Sequence, residues 1–307
     1  MKLTFGELLS IGERILSGSG IYCATHETEA LLCFATGLER HQLLLNRSRD
    51  VDNAQINYFL SLVRRRKSGE PLQYITGEQY FMGHRLAVDP SVLIPRPETE
   101  TLAEKAISCI RTFIGESSDA LNILDLCTGS GALAISIAKA CPHVKITAAD
   151  ISKQALKIAK KNALDLGLAN RIDFIESDLF ANISRSPGAG EAFEASGGSY
   201  HLIVTNPPYI RSGDLADLQR EIKNHEPLTA LDGGADGLVF YRRIASEASE
   251  YLAEHGVLLT EIGYDQARDV IKILETAGFT DIELFRDLIG HDRIIKARSG
   301  RVYHSLA

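Results

Sequence analysis

Asn206-Pro207-Pro208-Tyr209 puts an amide side chain, two locked backbone angles and an aromatic ring into four consecutive residues. A planar NH2 group, such as a carboxamide or a nucleobase amine, has a delocalised lone pair and is a poor nucleophile. Holding both of its N–H bonds aims the lone pair in one direction, and that takes two acceptors. The side-chain oxygen of Asn206 and the backbone oxygen of Pro207 can supply them, and the fixed φ of Pro207 and Pro208 keeps the carbonyl aimed inward. Tyr209 can lay its ring face on a planar group. The pattern suits attack by such a nitrogen, with rate arising from alignment and fixed dipoles rather than from a covalent intermediate. A turn that only ends a strand explains Asn-Pro, but not a second proline followed by tyrosine.

A second constellation lies upstream. Ile123-Leu124-Asp125-Leu126-Cys127-Thr128-Gly129-Ser130-Gly131 runs from a strand through a glycine turn toward a helix. Gly129 and Gly131 permit positive φ and a close approach of ligand to backbone. Taken alone, Gly129-x-Gly131-x-x-Ala134 also fits a dinucleotide fold. Asp125 argues against a pyrophosphate, which it would repel, and for the ammonium of a bound amino acid. Asp150, 19 residues beyond Gly131, is placed to accept two ribose hydroxyl bonds. Asp178 can accept an adenine amino group, with Leu179 against the ring. Each aspartate alone also fits an ordinary strand end; three at successive strand ends fit the ligand crevice of an open α/β sheet.

The elements that must position these residues are legible as alternating patterns. Strands are predicted at 122–126, 144–149, 171–176, 202–205, 257–261, 281–285 and 293–297, most of them separated by helical patterns. Repeated strand–helix units imply a doubly wound sheet. The loop over 286–292 is too short for a crossover helix, so the last pair must be antiparallel. Pro97 starts a helix with Glu98 and Glu100 in its first turn. Residues 1–84 read as a small helical bundle. Thr4 and Glu7 form a capping box before Leu8, Ile11 and Ile15; a second helix ends at Gly37 and a third opens at Asp52. Arg64-Arg65-Arg66-Lys67 complements the dipole at that helix's end, though the run also invites a nucleic-acid reading. A hairpin over about 78–90 joins the bundle to a second domain, 91–307. Residues 184–199 read as a flexible insertion, and 211–237 as a long polar connection of the kind that covers a site.

Composition narrows the classes. A net charge of -7 opposes broad nucleic-acid binding, which needs many phosphates neutralised at once. Five cysteines without a C-x-x-C pair argue against a disulfide framework or a zinc site, and no metal is expected. No apolar run approaches the roughly 18 residues of a membrane span, and a cytoplasmic location is the expectation.

These residues resemble one family. The chain is similar to the peptide chain release factor N5-glutamine methyltransferases, the PrmC/HemK family, over nearly its whole length. The resemblance rests on Pro71-Leu72-Gln73-Tyr74-Ile75-x-Gly77, on Val92-Leu93-Ile94-Pro95-Arg96-Pro97-Glu98-Thr99-Glu100, on the Asp125–Gly131 turn, on Asn206–Tyr209 and on Glu226-Pro227-Leu228-x-Ala230-Leu231. It implies a seven-stranded methyltransferase sheet and S-adenosylmethionine as cofactor. The implied substrate is the glutamine of the Gly-Gly-Gln loop of class I release factors, with the helical domain helping to bind the factor. The turn from Cys127 through Thr128, Gly129 and Ser130 to Gly131, with Asp150, Leu179 and Asn206, would contact the cofactor, and Asn206, Pro207, Pro208 and Tyr209 the glutamine. Cys127 stands where many relatives have glycine. Methylation of a ribosomal-protein glutamine or a nucleobase amine, a binding module without turnover and a nicotinamide oxidoreductase are the competing readings. A DNA enzyme would be expected to carry a basic cleft or a target-recognition domain, and neither is apparent.

Overall fold

The structure is a computed structural model that describes residues 3–116, 121–185 and 200–300. The chain divides into two compact units, Met1–Glu78 with Leu218–His225, and Gln79–Asp217 with Glu226–Ala307. Most of the insertion expected over 184–199 lies outside the described residues.

The first unit contains β1 (Leu3–Thr4), α1 (Phe5–Ser17), α2 (Ala24–Thr36), α3 (Arg40–Leu45), β2 (Asp50–Val51), α4 (Asn53–Lys67) and α5 (Leu72–Thr76). Thr4 and Glu7 form a reciprocal capping box at the start of α1, and Asp52 caps α4 through Gln55 N–H. Both satisfy N–H groups that the first helical turn leaves free. α2 ends at Gly37, whose φ of 70° is the left-handed conformation that glycine adopts without strain. Leu8, Leu16, Leu31, Leu32, Phe59 and Leu62 close the core between α1, α2 and α4. The basic run at the end of α4 is partly spent inside the unit. Arg65 pairs with Glu70, and the guanidinium of Arg66, almost wholly buried, lies between Glu27 and Glu221. Four of the five guanidinium N–H donors of Arg66 are spent on Glu27, Glu221 and the Glu70 carbonyl, and burial keeps it from presenting a charge to phosphate.

The second unit begins with the hairpin β3 (Glu78–Phe81) and β4 (His84–Ala87), turning at Met82 and Gly83. Then follow α6 (Pro97–Glu116), β5 (Leu121–Leu126), α7 (Ala132–Ala140), β6 (Val144–Asp150), α8 (Lys153–Asp165), β7 (Ile172–Glu176) and β8 (Tyr200–Thr205). After α9 (Arg220–His225), which packs in the first unit, come α10 (Val239–Tyr251), β9 (Leu252–Glu261), α11 (Ala267–Thr276), β10 (Phe279–Arg286) and β11 (Asp292–Ser299). The seven strands run in the order β10-β11-β9-β8-β5-β6-β7. β5 is parallel to β6 and β8, and β11 is antiparallel to both β9 and β10. This is the expected doubly wound sheet with its last strand reversed. Both faces are buried, and successive side chains serve opposite cores: Leu202 and Val204 of β8 join one cluster, Ile203 the other. Among the described residues no helix is long and apolar enough to cross a membrane.

Candidate functional site

Leu126, the last residue of β5, stands opposite Ala149 of β6 and Thr205 of β8. Cys127, Asp150 and Asn206 therefore leave the sheet side by side. The chain runs outward from β5 to β7 and then returns to β8 on the other flank of β5. That reversal opens a crevice above the strands' carboxyl ends, where open α/β sheets bind their ligands. A cavity of about 430 Å³ lies there, and Cys127, Gly129, Asp150, Asp178, Leu179 and Asn206 line it.

The glycine turn is tied to the neighbouring strand. Thr128 N–H donates to Ala149 O at 3.0 Å and Gly129 N–H to Asp150 Oδ2 at 2.8 Å. Gly131 has φ 83°, and a Cβ there would come within 3.2 Å of Ala159 and Ile135, so only glycine lets the turn sit this close to α8. Cys127 has φ 60°, a conformation that costs a non-glycine residue about 1 kcal/mol. This is a physical reason for glycine to suit the position. Burial, with Asp150 and Asp125 nearby, pushes the Cys127 thiol far up and keeps it protonated. It is no thiolate nucleophile.

The structure places Asp125 elsewhere than the direct ammonium contact expected of it. Leu124 and Leu126 face one core, so the pleat turns Asp125 to the other side, beneath α7. It is fully buried; its Oδ2 accepts from the Thr128 hydroxyl at 2.6 Å and from Ala134 N–H at 3.2 Å, and its Oδ1 has no hydrogen-bond partner. Burial raises its carboxyl to about 7. Thr128, Ser130 and Gly131 likewise frame the turn rather than wall the cavity. The Ser130 carbonyl accepts from Asn162 at 2.9 Å. Asp150 is held on both oxygens, by Gly129 N–H and by Ser152 N–H at 2.9 Å, and burial raises its pKa. Asp178 offers less than expected as an adenine acceptor, because Arg243 pairs with its Oδ1 at 2.9 Å.

The tetrapeptide leaves β8 directly over this crevice. Asn206 and Pro208 line the cavity, whereas Pro207 and Tyr209 do not. Asn206 Nδ2 donates to Thr99 Oγ1 at 3.2 Å, and among the described residues nothing engages its Oδ1. The Tyr209 hydroxyl stands 3.3 Å from Glu261 Oε1, and burial together with Glu261 drives its pKa well above the ordinary value. Gln266 Nε2 donates to Tyr209 O at 2.9 Å. The next segment clamps the outer side: Ile210 N–H donates to Leu231 O, and Gly233 N–H returns to Ile210 O at 2.8 Å. A Cβ on Gly233 would lie 2.7 Å from Tyr209 Cα. Gly233→Ala is therefore expected to push the tetrapeptide out of place and to lower stability by about 1–2 kcal/mol. Thermal unfolding and transfer rate test this together; an unchanged melting temperature with full activity would show that the clamp yields freely.

Several wall residues escaped the sequence reading. Ile151 and Leu228 are apolar yet 60% and 57% exposed, and both face the cavity. Exposed apolar side chains gathered in one crevice mark a ligand wall. Ile151 adjoins Asp150, and Leu228 lies in a quoted motif, so adjacency could have found them. Phe240 and Arg243 on α10 also line the cavity, but in the sequence they read as an ordinary helix face. Arg96 pairs with the buried Glu226. It thereby anchors the start of the segment whose Pro227, Leu228, Thr229 and Ala230 line the cavity.

Comparison with known proteins agrees with this geometry. The profile of the PrmC N-terminal domain matches residues 7–77, and that of the methyltransferase small domain matches 110–226. A release factor glutamine methyltransferase of Geobacter sulfurreducens is 38% identical over 297 residues, 97% of each chain. One from Bacillus subtilis is 36% identical over 270 residues, 88% of this chain and 89% of that protein. Among solved structures, the hMettl16 catalytic domain bound to a MAT2A 3′UTR hairpin superposes with a TM-score of 0.53 at 14% identity, covering 84% of this chain and 87% of that one. That likeness concerns the fold alone. With relatives of this identity covering nearly every residue, the chain belongs to the release factor glutamine methyltransferase family.

Proposed function

We propose that this chain transfers a methyl group from S-adenosylmethionine to the side-chain amide nitrogen of the glutamine in the Gly-Gly-Gln loop of class I peptide chain release factors, acting in the cytoplasm. The observation that carries the reading is Asn206. Its NH2 is committed to Thr99, which leaves Oδ1 as an acceptor beside the cavity. With the Pro207 carbonyl it can hold both N–H bonds of a carboxamide, while Tyr209 stiffens the loop from behind.

The residues present fit the cofactor. The cavity has the size of a small-ligand site, apolar walls at Ile151 and Leu228 suit an adenine ring, and Asp150 suits a ribose diol. The cofactor would supply an electrophilic methyl on a sulfonium. Asp125, buried under the turn, supports it from beneath through Thr128 and Ala134. Asp150→Ala is expected to weaken cofactor binding on the order of tenfold, the low end for a charge-assisted bond, because both oxygens already serve backbone N–H groups. Calorimetry reads it; unchanged affinity would move the ribose elsewhere.

The first unit, which holds none of the cavity's residues, is assigned to recognition of the factor. Deleting it would also strip Leu218–His225 of its packing, so cross-linking of the full chain to a release factor is the cleaner test. Absence of cross-links to residues 1–78 would overturn the assignment. For the reaction, labelled methyl transfer to purified release factor, ribosomal protein, DNA and RNA distinguishes the substrates. Transfer to nucleic acid but not to release factor would favour the nucleobase reading.

A further inference from the structure

The fold joins two buried residues outside the cavity wall to Asn206. Thr99 opens α6, in its first turn, and Glu261 ends β9; they are 6% and 1% exposed. Thr99 Oγ1 receives the Asn206 amide at 3.2 Å and Glu261 Oε1 takes the Tyr209 hydroxyl at 3.3 Å, while the Thr99 hydroxyl lies close enough to Glu261 to favour its ionised form. Glu261 Oε2 is buried without an aligned partner. Tyr241 and Arg293 fix the backbone around it, through Glu261 O at 3.0 Å and Ile262 O at 3.2 Å.

We propose that Thr99 and Glu261 act as positioning residues that set which way round the Asn206 carboxamide stands. The argument is one of hydrogen-bond polarity. Above about pH 7, where Glu261 is ionised, its carboxylate only accepts, so a hydroxyl beside it must donate to it. Once the Thr99 proton points to Glu261, its oxygen can only accept from Asn206. Asn206 must then present NH2 to Thr99 and Oδ1 to the other side. The reversed amide would place a donor where the substrate's own N–H donors arrive and would repel them. Tyr209, donating to the same carboxylate, is held by the same rule. Neither Thr99 nor Glu261 touches substrate; each acts through the tetrapeptide.

This inference rests on the proposed function for its rate readout but not for its structural one. The variants are Thr99→Val, which keeps the shape and removes the hydroxyl, Thr99→Ser, which restores it, and Glu261→Gln. In single-turnover transfer to a release factor at pH 8, where Glu261 is ionised, Thr99→Val is expected to be roughly tenfold slower, with cofactor affinity within about twofold. Thr99→Ser recovers most of the rate. Equal slowing in the serine and valine variants would show that packing matters rather than the hydroxyl, and a full rate in a folded Thr99→Val would end the proposal. Independently of any activity, the Asn206 side-chain N–H pair, assigned in amide nitrogen NMR spectra by its loss in Asn206→Ser, should exchange slowly in the parent protein. It should exchange faster in Thr99→Val and Glu261→Gln. Exchange unaffected by both changes would overturn the relay even where the parent chain transfers no methyl to the chosen factor; in that last case the function fails and the relay is judged by exchange alone.

Discussion

Asn206→Ala is expected to slow single-turnover methyl transfer about 10²-fold or more while leaving cofactor affinity nearly intact. The removed oxygen is one of two acceptors that orient the carboxamide. Its loss acts on the transition state, in which the nitrogen lone pair must face the methyl carbon. The cofactor's own contacts remain, because the glycine turn, Asp150 and the apolar walls are held by bonds that do not involve Asn206. Asn206→Asp is the sharper variant. It keeps an acceptor of similar size but loses the donor that Thr99 receives, and it adds a negative charge at the cavity wall. That charge also favours the sulfonium ground state, so cofactor binding can hold or tighten while the rate falls. Single-turnover transfer at saturating cofactor, with a binding titration on the same samples, separates the two effects. A near-normal rate for Asn206→Ala would return the tetrapeptide to a strand-ending turn.

The frame of this site was legible in the sequence because its cues are local. β5, β6 and β8 are short, largely apolar runs that give way to Cys127, Asp150 and Asn206, and the 19-residue step from Gly131 to Asp150 spans one helix and one strand. The short loop before β11 was enough to reverse the last strand. What the sequence hid depends on distant chain segments meeting. Glu261 reads as a polar strand end and Thr99 as a helix opener, yet 107 residues separate Thr99 from the Asn206 amide it receives. Leu218–His225 looks like part of one long loop, although its Glu221 belongs with Arg66, 155 residues away. Asp125 misleads for another reason. Its type and spacing suit a ligand contact, but the pleat of β5 decides the side on which it points.

That buried Asp125, together with Glu261, leads to the largest expected effect on stability. Unfolding free energy should fall as pH rises from about 5.5 to 8. Both groups have raised folded values: Asp125 goes from 3.8 to about 7 and Glu261 from 4.5 to about 7, with burial the leading cause in each. For Asp125, hydrogen bonds from Thr128 and Ala134 oppose the rise and Asp150 adds to it; for Glu261, Thr99, Arg293 and Tyr209 oppose it and Glu98 adds to it. A raised value means that the folded state holds a proton the unfolded state has lost. The stabilisation is complete below the unfolded pKa and vanishes as pH passes the folded one. Across this window each group contributes about 2 kcal/mol of loss, so the pair gives about 4 kcal/mol. Carboxylates with depressed values, such as Glu70 and Asp287, are ionised in both states throughout the window and do not offset the trend. His84, its value lowered by burial and by Lys139, works the other way and trims it. Urea unfolding of the cofactor-free chain at three pH values, repeated for Asp125→Asn and Glu261→Gln, is the measurement. Each variant should flatten the slope by about half, because an amide has no proton to lose. A free energy that stays level or rises toward pH 8 in the parent chain would mean that these two carboxylates are already ionised in the fold, their burial compensated by Arg293 and the backbone donors around them.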